Sequence, residues 1–266
     1  MKKVLVGSAL ALLLWVANAP VLAQGSPPPK PKQQTKLTGL EAEWNTLNQD
    51  HRTALTKFYE PYNKAKTEEE RAKIQLDYTK FPSLEFLPKF QSLAKRAKGK
   101  EIGAKALLWV VQNGQSPEGG NNKPVLEAIK SLMADYIQSP VMEQLAAYLR
   151  YSYNIGAKTT SEALRKILAE SKIRKVQAAA LFHLGSLLMS DQKGESSEVK
   201  SLFERLQKEY SDTRYAKQAE GSIFEMENLQ IGKTAPEMEG TDHEGKTFKL
   251  SEYKGKVVVL DFWGFW

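Results

Sequence analysis

Few side chains in this 266-residue chain could carry covalent or metal chemistry. The chain has no cysteine, which excludes disulfides, thiolate ligands and cysteine nucleophiles within it. Its histidines, His51, His183 and His243, lie too far apart in sequence to form a metal-ligand motif, and we expect neither a metal nor a cofactor. Asp261 is different because it follows four apolar residues. A carboxyl group desolvated in an apolar strand has a raised pKa and holds a proton near neutral pH, although an Asp here could instead cap the following turn.

Composition and charge narrow the range of partners. With 41% hydrophobic and 26% charged residues, the chain has the composition of an ordinary globular protein. Its formal net charge of +7 is spread along the sequence rather than gathered in a stripe, so we expect no nucleic-acid partner. Gly232-Lys233-Thr234 imitates the end of a phosphate-binding loop, but the glycine that such a loop requires five residues before Gly232 is Glu227 here.

The N-terminus has the layout of a secretory signal peptide. Lys2 and Lys3 precede an apolar run over residues 4–16, and Ala23 before Gln24 offers a cleavage site. The run is shorter than the roughly 20 residues that a spanning helix needs, which disfavours a membrane anchor. We therefore predict a signal peptide over residues 1–23, export to the periplasm or another extracytoplasmic compartment, and no integral membrane span after cleavage. A Pro/Lys/Gln-rich linker over residues 24–37 follows.

Residues 38–229 are predicted to form a helical domain. Apolar residues recur three and four positions apart along the stripe that begins at Leu40 and ends at Tyr62. Thr67 and Glu70 have the spacing of a capping box. Further helices are predicted over residues 83–98, 101–113, 122–138, 140–153, 160–171, 173–190, 196–210 and 213–228.

Four of these helices open with an apolar pair three residues apart, and the pairs begin 36, 38 and 39 residues after one another. The pairs are Phe90/Leu93, Leu126/Ile129, Leu164/Ile167 and Phe203/Leu206. Behind three of them comes an alanine-rich helix, at residues 104–107, 178–180 and 216–219. This pattern indicates tetratricopeptide-like helix pairs, with an irregular bundle as the alternative. Trp109 is expected in the core and His183 as a buried, hydrogen-bonded histidine. The domain would bind a protein partner or act as a spacer.

At residue 230 the periodicity becomes strand-like. Residues 238–241 and 247–250 alternate around Asp242-His243-Glu244-Gly245, which predicts a hairpin with Gly245 at a positive φ. Residues 251–256 are predicted to form a short turn or helical loop. Residues 257–263 follow as a run that is apolar except for Asp261, which predicts a strand buried on both faces.

The spaced elements of this region resemble the opening of a thioredoxin-like domain. They are Ile231-Gly232-Lys233-x-Ala235-Pro236, Asp242-x-x-Gly245-Lys246, Leu250-Ser251-x-Tyr253-x-Gly255-Lys256-Val257-Val258 and Phe262-Trp263. The most similar type is the extracytoplasmic TlpA/ResA-like thiol–disulfide oxidoreductases of the redoxin (AhpC/TSA) superfamily. The expected fold is therefore a mostly α N-terminal domain, which the apolar periodicity predicts as a helical-hairpin repeat or bundle. An incomplete α/β thioredoxin-like domain over residues 230–266 would follow it.

The resemblance also implies roles for individual residues. Asp261 would be a buried proton acceptor for the second of two redox cysteines, and Phe262, Trp263, Gly264 and Trp266 would frame the site. The nucleophilic cysteine of this family would follow Trp266, so the chain as given is expected to be inactive. A completed protein would act on protein thiol or disulfide clients. The alternative is an exported helical-repeat scaffold without catalysis.

Three explanations for the position of the chain end remain open. The sequence could be a fragment or carry a nonsense stop. It could also be followed by a UGA codon that the cell translates as selenocysteine, since a selenol has a lower pKa than a thiol and suits the nucleophile position. The nucleotide sequence after the Trp266 codon distinguishes these explanations.

Overall fold

The computed structural model describes residues 39–115, 122–151, 155–190 and 197–261. The helices and strands within these ranges are α1 Gly39–Lys64, α2 Glu68–Ala72, α3 Pro82–Arg96, α4 Glu101–Asn113, α5 Lys123–Asp135, α6 Val141–Arg150, α7 Ala157–Glu170, α8 Arg174–Ser190, α9 Ser197–Glu209, α10 Arg214–Asn228, β1 Glu239–Thr241 and β2 Thr247–Lys249. This confirms a mostly helical N-terminal region followed by an incomplete thioredoxin-like segment. The predicted signal peptide, the whole of the predicted linker and the last five residues of the chain lie outside the described residues.

The first long helix packs on two later ones. α1 lies on α3 and α4, and Trp44 meets Phe90 edge to face with ring centroids 5.5 Å apart. The predicted capping box of α2 is confirmed, because Thr67 Oγ1 accepts from Glu70 N and the Glu70 carboxylate accepts from Thr67 N. A short 3-10 helix, Tyr78–Lys80, was not predicted. The Asp77 carboxylate starts it by accepting from Thr79 N at 3.1 Å, a local bond that competes with longer helices.

The helix pairs predicted from alanine-rich second members are present. α3 packs on α4, α7 on α8 and α9 on α10, and the small residues Ala104, Ala178 and Ala219 are buried where these helices approach. Trp109 is a core residue, as predicted, with its ring stacked on Phe90 at 3.8 Å. The remaining two helices, α5 and α6, pack mainly on other helices than each other. α5 packs on α4, whereas α6 packs mainly on α8.

The two halves of the helical block repeat with a period of 74 residues. α5 begins at Lys123 and α9 at Ser197, both have 13 residues, and Tyr136 and Tyr210 follow at the same offset. The predicted pair Leu126/Ile129 is therefore one turn too early, and Leu126 is 43% exposed. The buried counterparts of Phe203 and Leu206 are Ile129 and Leu132. The register supports stacked helix pairs rather than an irregular bundle.

Hydrogen bonds join the turns between paired helices along one edge of the block. The Tyr136 hydroxyl accepts from Gly99 N at 2.8 Å, which fixes the turn after α5 on the turn after α3. Gln138 donates to Glu170 O and accepts from Lys172 N, and Arg174 donates to the Asp212 carboxylate. Successive turns are thus held in register by side chains about 35 residues apart in sequence.

The predicted hairpin is confirmed. β1 and β2 are antiparallel with Glu239 opposite Lys249, and Gly245 has a φ of 82°. The Asp242 carboxylate accepts from the main-chain N–H groups of Glu244 and Lys246. A 3-10 helix, Leu250–Tyr253, confirms the helical loop that follows.

The predicted strand over residues 257–263 is not observed in its described part. Residues 257–261 are exposed and lie outside the sheet, which in the described chain consists of β1 and β2 alone. A strand needs a neighbour for its main-chain N–H and C=O groups, and the described residues provide none here. None of the described helices combines the length and the apolar composition needed to cross a membrane.

Candidate functional site

The hairpin and the residues around it form the framework of the candidate redox segment. Glu237, just before β1, accepts from Ser251 N at 3.0 Å through its carboxylate, and Leu250 N donates to Met238 O at 2.9 Å. The hydroxyl group of Ser251, and then its main-chain N–H, hold the pKa of Glu237 below its usual range. Lys249 pairs with Glu239 across the strands. The residues just before β1 are thereby fixed to the 3-10 helix Leu250–Tyr253, which precedes Val257.

The apolar residues before Asp261 lie open to solvent. Val257 and Val259 are 97% and 87% exposed, whereas Val258 and Leu260 are 41% and 49% exposed. Asp261 is also exposed, so the described segment does not contain the predicted buried carboxylate. Its assignment as a proton acceptor stays a prediction for a segment covered by further structure. The predicted framing residues Phe262, Trp263, Gly264 and Trp266 lie outside the described residues.

The structure does not bring the three histidines together. His51 is buried against α3, where its Nε2 lies 3.0 Å from Ser83 Oγ, and His243 is at the exposed tip of the hairpin. His183 is buried in α8 beside the rings of Phe182 and Tyr215. No group of three His, Asp or Glu side chains within the described ranges is arranged to hold a metal ion.

His183 corrects one prediction. The side chain is buried as expected, but neither ring nitrogen has a hydrogen-bond partner among the described residues, and Ser186 Oγ one turn later has none either. Burial, and then the positive charges of Arg150 and Arg214, lower the pKa of His183 to about 4. The ring is therefore neutral at physiological pH and packs as an aromatic side chain.

Next to His183, one carboxylate and the side chains that bond to it join three helices. The sequence did not indicate this cluster, which we call the Glu143 cluster. Glu143, at the start of α6 and only 13% exposed in its side chain, accepts from the Tyr215 hydroxyl at 2.8 Å and from Arg214 at 2.9 Å. It also pairs with Lys175 of α8 at 3.0 Å. Burial raises the pKa of Glu143, but the bonds from Tyr215 and Lys175 outweigh it and the pKa lies below its usual value. Burial raises the pKa of Tyr215 to about 12. The cluster is engaged in holding α6, α8 and α10 together.

Comparisons with known proteins fall on the C-terminal segment. The AhpC/TSA family matches residues 231–266. Thiol-disulfide oxidoreductase ResA of Bacillus thuringiensis (strain Al Hakam) is 49% identical over 47 residues, which are 18% of this chain and 27% of that protein. Thiol-disulfide oxidoreductase ResA of Geobacillus kaustophilus (strain HTA426) is 47% identical over 38 residues, 14% of this chain and 22% of that protein. No solved structure matches the chain.

The matches and the local structure agree. The chain spans about a quarter of the length of these curated relatives. The matched residues contain the hairpin, the Gly245 turn and the 3-10 helix described above. The C-terminal segment of this chain, residues 231–266, is therefore similar in sequence to the thioredoxin-like redoxins of the AhpC/TSA family.

Proposed function

We propose that residues 231–266 are the first part of an extracytoplasmic thiol–disulfide oxidoreductase domain, carried behind a helical scaffold. The observation that carries this proposal is the match to two ResA proteins over a segment whose hairpin and 3-10 helix are formed. The helical block supports a scaffold role because side chains hold its turns in register.

The proposed chemistry needs two cysteines, which the 266-residue sequence does not contain. In thiol–disulfide exchange a thiolate attacks one sulfur of a disulfide, and the other sulfur leaves as a thiolate. A second cysteine then attacks the mixed disulfide, so that two electrons pass to the substrate and the enzyme is oxidised. Asp261 would accept the proton of that second thiol. The 266-residue polypeptide has no cysteine, and we propose that it is inactive by itself.

Insulin reduction with dithiothreitol tests the proposal. A protein that continues past Trp266 with two cysteines should accelerate the precipitation of the insulin B chain, and Asp261→Ala should slow it because the proton acceptor for the second thiol is lost. The 266-residue chain is the matched control and should match the buffer rate. A completed protein with the activity of buffer would refute the assignment, and activity in the 266-residue chain would refute its inactivity.

We also propose export by cleavage after Ala23. Lys2 and Lys3, the apolar run at residues 4–16 and Ala23 before Gln24 support this. N-terminal sequencing of protein recovered from the periplasm should begin at Gln24. A mature protein that retains Met1 would contradict the proposal.

A scaffold without catalysis is the second candidate function. The stacked helix pairs favour it, because repeats of this kind present extended binding surfaces. In that case an inactive completed protein would still bind a protein partner through the helical block.

A further inference from the structure

A groove of ≈ 280 Å³ lies between α3 and α5, over α4. Its floor is apolar and small, with Ala94, Val110 and Ala128 buried beneath it and Leu107 partly buried. One wall carries Gln91 and Lys95 of α3. The other wall carries residues of α5, beginning with Pro124. The groove therefore offers an apolar floor between two polar walls.

In the second half of the helical block, an ion pair bridges the two helices that correspond to the groove walls. Arg165 of α7 and Glu198 of α9 form an ion pair at 2.6 Å that joins the two helices. At the 74-residue period the equivalent positions are 91 and 124, which are Gln91 and Pro124. An amide and a proline form no ion pair, so the sequence has a clasp in one half and none in the other.

The two groove walls differ in how many of their charged side chains have an ion-pair partner. Lys98 pairs with Asp135 at 3.2 Å and closes one end, and Glu127 lies 3.9 Å from Lys123. Lys95 is exposed and forms no ion pair with any side chain in the described ranges. The acids of the α5 wall thus each have a lysine, whereas the α3 wall retains an unpaired positive charge. The groove is complementary to an apolar group next to an anion.

We propose that this groove binds a segment of a partner protein that places an apolar side chain on the floor and a carboxylate beside Lys95. This binding site is independent of the redox function proposed for residues 231–266. Burial of one leucine-sized side chain supplies most of the binding free energy, and the exposed ion pair adds less. We expect weak, salt-sensitive binding that gains strength from a second contact elsewhere in the complex.

Fluorescence anisotropy of a short fluorescein-labelled peptide with Leu-Asp-Leu at its centre tests the site on the full 266-residue chain. The peptide should bind saturably, and an otherwise identical peptide with Asn in place of Asp should bind about three- to five-fold more weakly. Lys95→Glu should weaken the Leu-Asp-Leu peptide by at least that factor. Absence of saturable binding, or equal affinity for the two peptides, would overturn the proposal.

The clasp gives a matched pair of variants. Gln91→Arg combined with Pro124→Glu installs in the first half the pair that the second half already has, and should abolish saturable binding. Arg165→Gln removes the clasp of the second half and should leave peptide affinity unchanged. Binding that survives the installed clasp, or that is lost with Arg165→Gln, would place the peptide elsewhere and contradict the assignment. Circular dichroism melts verify that each variant is folded.

Discussion

Glu143 connects elements that are far apart in sequence. Its carboxylate accepts from Tyr215 and Arg214 and pairs with Lys175, and it is nearly buried. Removing the charge leaves these donors with a weaker acceptor in a partly desolvated site, and a bond of this kind contributes about 1–3 kcal/mol. Glu143→Gln should lower the free energy of unfolding by that amount in urea denaturation.

A surface acid provides the control for Glu143. Glu204 is exposed and lies 3.8 Å from Lys200 within one helix, where such pairs contribute little. Glu204→Gln should change the free energy of unfolding by less than about 0.5 kcal/mol. Equal effects of the two substitutions would show that the Glu143 cluster does not stabilise the packing of α6, α8 and α10.

Acidification should destabilise the helical block through His183. The pKa of this histidine is lowered from 6.5 to about 4 by burial and by Arg150 and Arg214, while Glu143 opposes the shift. Between these values the unfolded chain binds a proton that the folded chain does not. Stability is therefore fully present above pH 6.5, and about 3 kcal/mol of it is lost as the pH falls to about 4.

His183→Phe should flatten this pH dependence. Phenylalanine fills the site between Phe182 and Tyr215 without a titrating group. Urea denaturation at pH 7 and pH 4.5 measures the difference, and His243→Asn at the exposed hairpin tip should leave it unchanged. A wild-type slope retained in the His183 variant would assign the acid sensitivity to other groups, such as His51 or the paired carboxylates.

The close contact between α8 and α9 requires a glycine, which has no side chain, at position 185. A Cβ at Gly185 would lie 2.7 Å from the Phe203 ring, which is fully buried. Gly185→Ala should therefore cost about 1–3 kcal/mol of unfolding free energy through overpacking. In α10 the exposed Gly221 has open space around it, and Gly221→Ala should instead stabilise the protein by about 0.5–1 kcal/mol. A stabilising Gly185→Ala would show that Phe203 moves aside easily.

The elements that sequence patterns predicted are those fixed by local interactions. The spacing of Thr67 and Glu70 predicted a capping box, and Asp242 with Gly245 predicted the hairpin. Glu143 and Tyr215 are 72 residues apart, and no local pattern indicates that they meet. The strand over residues 257–263 depends on partners outside it. His183 was misjudged because Phe182 and Tyr215 surround its ring without offering it a hydrogen bond.

At the scale of the whole molecule, the C-terminal segment contributes little to the buried core. From residue 230 to residue 261 every described residue is exposed or half-exposed, and the hydrogen bonds of the hairpin are local. Ending the chain after Leu229 should therefore change the melting temperature of the helical block by no more than a few degrees. Differential scanning calorimetry of the two chains measures this. A large loss would show that residues 230–266 support the core.

The exposed apolar segment from Val257 to Leu260 is unfavourable in water. Aliphatic side chains are exposed to water there, and no strand among the described residues pairs with the main-chain groups beside them. Any extended peptide laid along it would satisfy both at once, whether it came from the same polypeptide or from a second molecule. Until a matching strand covers it, this segment therefore favours association with another chain.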